Sequence, residues 1–151
     1  MKYIIAMMLL LPTVSFSQEV QLGVIVGSTT GLSGKYDLGN DRAIDAALAY
    51  KFDNVNGLSL HADYLFNRAR TFNVGEVSPI NFYYGLGARL INIIDGSDNG
   101  KTRLGVRVPF GIYYTVNNPN LELFGELVPV LDLAPRTDVY VDVGLGFRIR
   151  F

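Results

Sequence analysis

The sequence predicts an all-β chain, an eight-stranded antiparallel up-and-down transmembrane β-barrel. Three observations predict it. Beyond residue 17, apolar side chains recur at every second position in eight successive segments, and no segment has helical period. The other phase of those segments carries charge and glycine together. Clusters of Gly, Asn, Asp and Pro separate the segments, as turns require.

Composition narrows the class further. A chain of 151 residues fits one domain. Hydrophobic residues make up 49% and charged residues 18%, with a mean hydropathy of +0.23, which excludes intrinsic disorder. After residue 17 no run of about 18 apolar residues exists, so no transmembrane helix is expected. The absence of cysteine excludes a disulfide framework, a thiolate metal site, a cysteine nucleophile and a lipidated N-terminal cysteine. A net charge of −1 leaves no basic footprint for nucleic acid.

The elements follow in order. Lys2, the apolar run Tyr3 to Leu11, the break at Pro12 and the small residues Ser15 and Ser17 around Phe16 read as a secretory signal peptide over residues 1–17, cut before Gln18. The barrel then occupies residues 18–151. Its first four segments are Val20–Gly27, Gly31–Leu38, Ala43–Phe52 and Leu58–Phe66, with apolar phases such as Val20/Leu22/Val24/Val26 and Leu58/Leu60/Ala62/Tyr64/Phe66. Ile80–Asn92, Arg103–Tyr114 and Leu121–Leu133 continue the pattern. The last, Asp138–Phe151, is the clearest. Val139, Val141, Val143, Leu145, Phe147, Ile149 and Phe151 alternate with Asp138, Tyr140, Asp142, Gly144, Gly146, Arg148 and Arg150.

Two architectures share this pattern. A soluble sandwich or lipocalin-like barrel turns the apolar phase inward. A membrane barrel turns it to lipid and fills its lumen with the polar phase. On the polar phase lie Lys35, Lys51, Arg89, Arg103, Arg107, Arg148 and Arg150, together with Asp37, Asp45, Asp63, Glu122, Glu126, Asp132, Asp138 and Asp142. Gly23, Gly27, Gly31, Gly85, Gly87, Gly105, Gly111, Gly144 and Gly146 share it. Glycine only weakens a solvent-facing strand. In a narrow lumen it makes room for large neighbours. The apolar phases also gather Tyr36, Tyr64, Phe66, Phe82, Tyr84, Tyr114, Phe147 and Phe151 toward one end, as an aromatic girdle would. The membrane architecture accounts for both.

With these features on view, the chain resembles small bacterial outer-membrane barrels of the OmpA/OmpX type. Phe147, Ile149 and Phe151 resemble the C-terminal signal read by the outer-membrane barrel assembly machinery. The blocks Thr30 to Tyr36, His61 to Phe66, Gly105 to Pro109 and Leu131 to Pro135 resemble a narrower family of small outer-membrane barrels largely without assigned activity. The resemblance covers nearly the whole mature chain. It implies a monomer in the outer membrane of a Gram-negative-type bacterium, with outer-membrane lipid and the assembly machinery as partners and no nucleic acid.

The lumen is the candidate site. Eight strands enclose a space just wide enough for side chains. Unpaired buried charge costs several kcal/mol. A salt-bridge network is therefore expected among Lys35, Lys51, Asp45, Asp63, Arg89, Arg107, Glu122, Glu126, Asp132, Asp142 and Arg148, which closes the lumen and gives the protein a structural or interaction role. A narrow channel or small-solute binder is the alternative, and a membrane-embedded hydrolase a further one. Ser59, His61 and Asp63 share one face of one strand. Next-but-one residues there stand about 7 Å apart, whereas a relay needs contacts of about 2.6–3.2 Å. No catalytic residues, metal site or cofactor are read from the chain, since its one histidine has no recurring ligand spacing. Pro109 and Pro129 fall inside strands, and the unbroken phase through both predicts a lost ladder bond or a kink and not a phase-shifting bulge. The connection Asn67–Pro79 is long for a periplasmic turn. It reads as an extended hairpin or as a sign of a miscounted strand.

Phe151 supplies the first test. Its deletion, or replacement by a polar residue, is expected to lower the yield of membrane-assembled barrel in pulse–chase fractionation. Unchanged assembly would reduce this ending to a lipid contact.

Overall fold

The computed structural model describes residues 20–52, 56–72, 80–94, 96 and 100–151. The expected signal peptide lies outside them. Among the described residues there are nine strands: β1 (Val20–Gly27), β2 (Thr29–Gly39), β3 (Arg42–Lys51), β4 (Gly57–Phe72), β5 (Ile80–Ile93), β6 (Thr102–Arg107), β7 (Phe110–Asn117), β8 (Asn120–Ala134) and β9 (Asp138–Arg150). All pair antiparallel, and β1 closes the sheet on β9. Both β6 and β7 lie between β5 and β8, so they are halves of one wall strand and the ring has eight.

The interruption is the work of the two prolines. Arg107 pairs with Gly87 and Phe110 with Tyr84 on one side, and with Val130 and Leu127 on the other. Three residues are crossed on each strand, so no residue is inserted and the in–out phase survives. Gly85 N donates to Pro109 O and Val108 N to Pro129 O, each at 3.0 Å. The reciprocal bonds cannot form, because proline has no N–H. One ladder bond is lost at each proline, and the register is unshifted.

The ring is strongly staggered. Direct pairs lead from Gly23 through Ser33, Ala47, His61, Arg89, Gly105 and Asp132 to Asp138. Gly23's own partner on β9 is Arg148, ten residues further along that strand. Such a stagger over eight strands goes with a strand tilt of roughly 35–45°.

Burial is inverted relative to a soluble protein, where large apolar side chains go inside and Arg or Asp stay out. Leu145 is 66% exposed and Leu32 67%, whereas Arg148 is 2% exposed and Asp132 0%. The apolar phase of every strand faces outward, which decides between the two architectures. The lumen is less uniformly polar than the alternation implied: Ile25, Leu65, Ile91, Ile93, Phe124, Val128 and Val130 also point inward and are buried. A packed interior accepts hydrocarbon between its ion pairs, while the lipid face cannot accept charge.

Turn chemistry sets the hairpins. Asn40 and Asp41 have φ of 53° and 59°, the paired left-handed residues of a two-residue type I′ turn, and Gly39 pairs with Arg42 across it. The connections at the opposite end, after β1, β3, β5 and β8, are short. β4 runs six residues past its expected end at Phe66, and Phe72 pairs with Ile80. β4 and β5 thus continue as a hairpin beyond the expected end, and no further strand occurs in this stretch among the described residues; residues 73–79 lie outside them. Around its base, Tyr64 touches Phe66 at 5.3 Å between ring centroids and Phe66 stacks on Tyr84 at 5.4 Å, within the aromatic belt at the end that holds the termini.

Val106 tests the orientation of the wall. It points outward between Ala88 and Leu131. Val106→Arg is expected to cost about 2–4 kcal/mol near a bilayer midplane, and Val106→Leu almost nothing, in urea unfolding from lipid vesicles. The reverse order would mean that this face is a packed protein core.

Candidate functional site

The phase of each strand carries its charges inward, and the stagger decides which of them meet. The eleven charged residues expected in the lumen all point inward, are buried and take part in ion pairs. They form three groups. Toward the short-loop end, Lys51 bonds Asp142, Arg89 spans Asp142 at 2.7 Å and Asp132 at 2.9 Å, and Arg103 reaches Asp132 at 3.5 Å. Toward the end that holds the termini, Glu122 joins Lys35 at 3.0 Å to Arg148 at 3.2 Å, and Arg148 extends to Asp45 at 3.1 Å. Between them, Arg107 lies 2.9 Å from Asp63 and 3.3 Å from Glu126. Phe147, Ile149 and Phe151 face outward and are exposed, and Phe151 N donates to Val20 O at 2.9 Å.

Aromatic side chains complete the packing, and these the sequence reading left out of the site. Tyr83 OH donates to Glu126 Oε2 at 2.9 Å. Tyr140 OH accepts from Arg103 at 2.9 Å. Arg148 lies over the Phe124 ring, 3.9 Å from its centroid, and Lys35 over Tyr113 at 4.4 Å. A signal for two of them was available. Tyr83 stands directly opposite Gly111, and Phe124 opposite Gly146. A Cβ on either glycine would strike the facing ring. Asp63 opposite Gly87 and Asp132 opposite Gly105 repeat the rule. Aromatic residues in a polar phase, set against glycine on the next strand, mark lumen-filling positions.

His61 is buried next to this network. Its Nδ1 has no hydrogen-bond partner, and neither has Ser59 Oγ. No Ser–His–Asp relay is formed along β4. The stagger does bring a third group to this place, because Asp45 on β3 is the direct cross-strand partner of Asp63. Spacing along one strand could not reveal it.

A closed ring of eight antiparallel strands, hydrocarbon outside and ion pairs inside, defines a small transmembrane β-barrel. Solved structures agree on the fold. The N-terminal β-barrel domain of Pseudomonas aeruginosa OprF superposes with a TM-score of 0.60 at 19% identity, covering 89% of this chain and 96% of that one. Neisserial surface protein A (NspA) gives 0.50 at 18% identity, covering 89% and 94%. No family model and no curated protein matches the chain.

Glu126 links the central arginine to Tyr83, which makes it the most informative position. Glu126→Leu is expected to destabilise the barrel by about 3 kcal/mol, because Arg107 loses a buried partner. Tyr83→Phe, which removes one hydrogen bond, should cost only about 1 kcal/mol. Equal unfolding midpoints for Glu126→Leu and the wild type would show that the central pair contributes no stability.

Proposed function

We propose that this chain is a monomeric integral protein of the outer membrane of a Gram-negative-type bacterium. In this reading the barrel assembly machinery inserts it, its lumen is closed by ion pairs, and its role is structural or that of an interaction partner in the envelope. The observation that carries the reading is the succession of buried ion-pair groups from Lys51–Asp142 to Lys35–Glu122. A chain of charges held by fixed partners leaves no wide aqueous path. The likeness to the OprF barrel domain and to a neisserial surface protein supports the location. Short loops at one end favour a compact envelope component over an adhesin with broad reach.

A second reading, a small-solute binding barrel, is favoured by one feature. Near the termini a polar recess of about 210 Å³ opens among Gln21, Lys35, Asn81, Thr115 and Glu122. Planar-bilayer recording combined with fractionation tests the main proposal. The protein is expected in the outer-membrane fraction, with heat-modifiable gel mobility and no steady conductance. Arg89→Ala is expected to open measurable current. Steady wild-type conductance would overturn the closed lumen, and recovery as a detergent-free soluble monomer would overturn the membrane reading.

A further inference from the structure

In the middle of the barrel three side chains meet without satisfying one another. Asp45 and Asp63 are direct partners across β3 and β4, and His61 occupies the inward position next to Asp63. One potential ligand atom from each lies within 4.8 Å of the other two. All three are more than nine-tenths buried, at 2%, 4% and 2% exposure for Asp45, His61 and Asp63. Arg148 holds Asp45 Oδ2 at 3.1 Å, but Asp45 Oδ1 has no hydrogen-bond partner. Arg107 Nε lies 2.9 Å from Asp63 Oδ1 at an angle that makes no hydrogen bond, so both Asp63 oxygens also lack one. His61 Nδ1 is unpartnered as well, as is Ser59 Oγ one inward position along β4.

So many buried polar atoms without partners are costly, and two facing carboxylates add repulsion. A bound cation would remove both penalties at once. The donor set identifies its class. Calcium and magnesium take all-oxygen shells, whereas one imidazole nitrogen with two carboxylate oxygens suits zinc and the neighbouring first-row divalent ions. Arg107 keeps Glu126 as a second carboxylate at 3.3 Å, and Arg148 shares Glu122, at 3.2 Å, with Lys35. They are placed to orient the two ligand carboxylates from outside, as outer partners of metal ligands do.

We propose that Asp45, His61 and Asp63 bind one divalent cation of the zinc class inside the barrel. Ion-pair groups lie on both sides of the cluster, Arg89 with Asp132 and Asp142 toward the loops and Lys35 with Glu122 toward the termini. The ion is therefore taken up as the barrel closes and exchanges slowly afterwards.

The test folds the whole barrel into detergent micelles with Zn²⁺ or Co²⁺ present, removes free metal and quantifies what is retained. The wild type is expected to keep about one ion per barrel, as one three-ligand site implies. His61→Ala is expected to keep at least about tenfold less, with heat-modifiable mobility confirming that it folds. Equal retention in the wild type and His61→Ala overturns the proposal. Should His61→Ala not fold, the wild-type ring decides, because the chain has a single histidine. Co²⁺ is expected to shift its ring proton resonances strongly, and unmoved resonances overturn the site.

Discussion

The interior of an eight-stranded ring is only wide enough for the side chains that point into it, and that width governs the rest of this structure. At several lumen positions a large side chain is therefore set against a glycine: Tyr83 faces Gly111, Phe124 faces Gly146, Asp63 faces Gly87 and Asp132 faces Gly105. Arg148 likewise has Gly23 across from it. Each glycine costs the strand some β propensity and returns space for an arginine, a carboxylate or a ring. Where no glycine intervenes, opposite charges can face each other, as Arg148 does Glu122 and Lys35 does Asp45, whereas Asp45 opposite Asp63 sets two acids side by side. Polar atoms of both acids are left without hydrogen-bond partners there.

The same narrowness excludes bulk water, so the lumen charges cannot be left to solvent. A buried ion pair is weak evidence of net stabilisation, because the desolvation of both partners offsets most of their attraction. What the ion pairs supply here is specificity. Arg89 shared between Asp132 and Asp142, and Glu122 shared between Lys35 and Arg148, each tie together strands far apart in sequence. A one-residue slip in any strand would send its charges to the apolar outer face. The network therefore penalises wrong registers strongly even where it adds little to the correct one.

Against this background the prolines are tolerable. Pro109 and Pro129 remove one ladder donor each, yet the pairs on both sides of Val108 and Pro109 keep one register. The neighbouring strands hold β6 and β7 in line, and Arg107, one residue before Val108, is anchored to Asp63 and Glu126.

Much of the fold was legible from the chain alone. Alternation in Asp138–Phe151 and its counterparts sets strand number, antiparallel order and which side chains share a face, since the period of a strand is two whatever its partners. Glycine on the polar phase pointed to a tight lumen, and Asn40 with Asp41 to a hairpin. Which inward charges touch was not legible. It depends on the ten-residue stagger with which Gly23 meets Arg148, and a stagger is a property of the closed ring. That offset brings Arg148 to Asp45, while the β8–β9 register sets Arg148 beside Glu122 and the β3–β4 register sets Asp45 beside His61 and Asp63. The sequence by itself determined an inside-out barrel with a charged interior. Only the strand registers and the closure of the ring decided the partners, because closure alone brings residues about a hundred positions apart, such as Arg148 and Asp45, to within hydrogen-bonding distance.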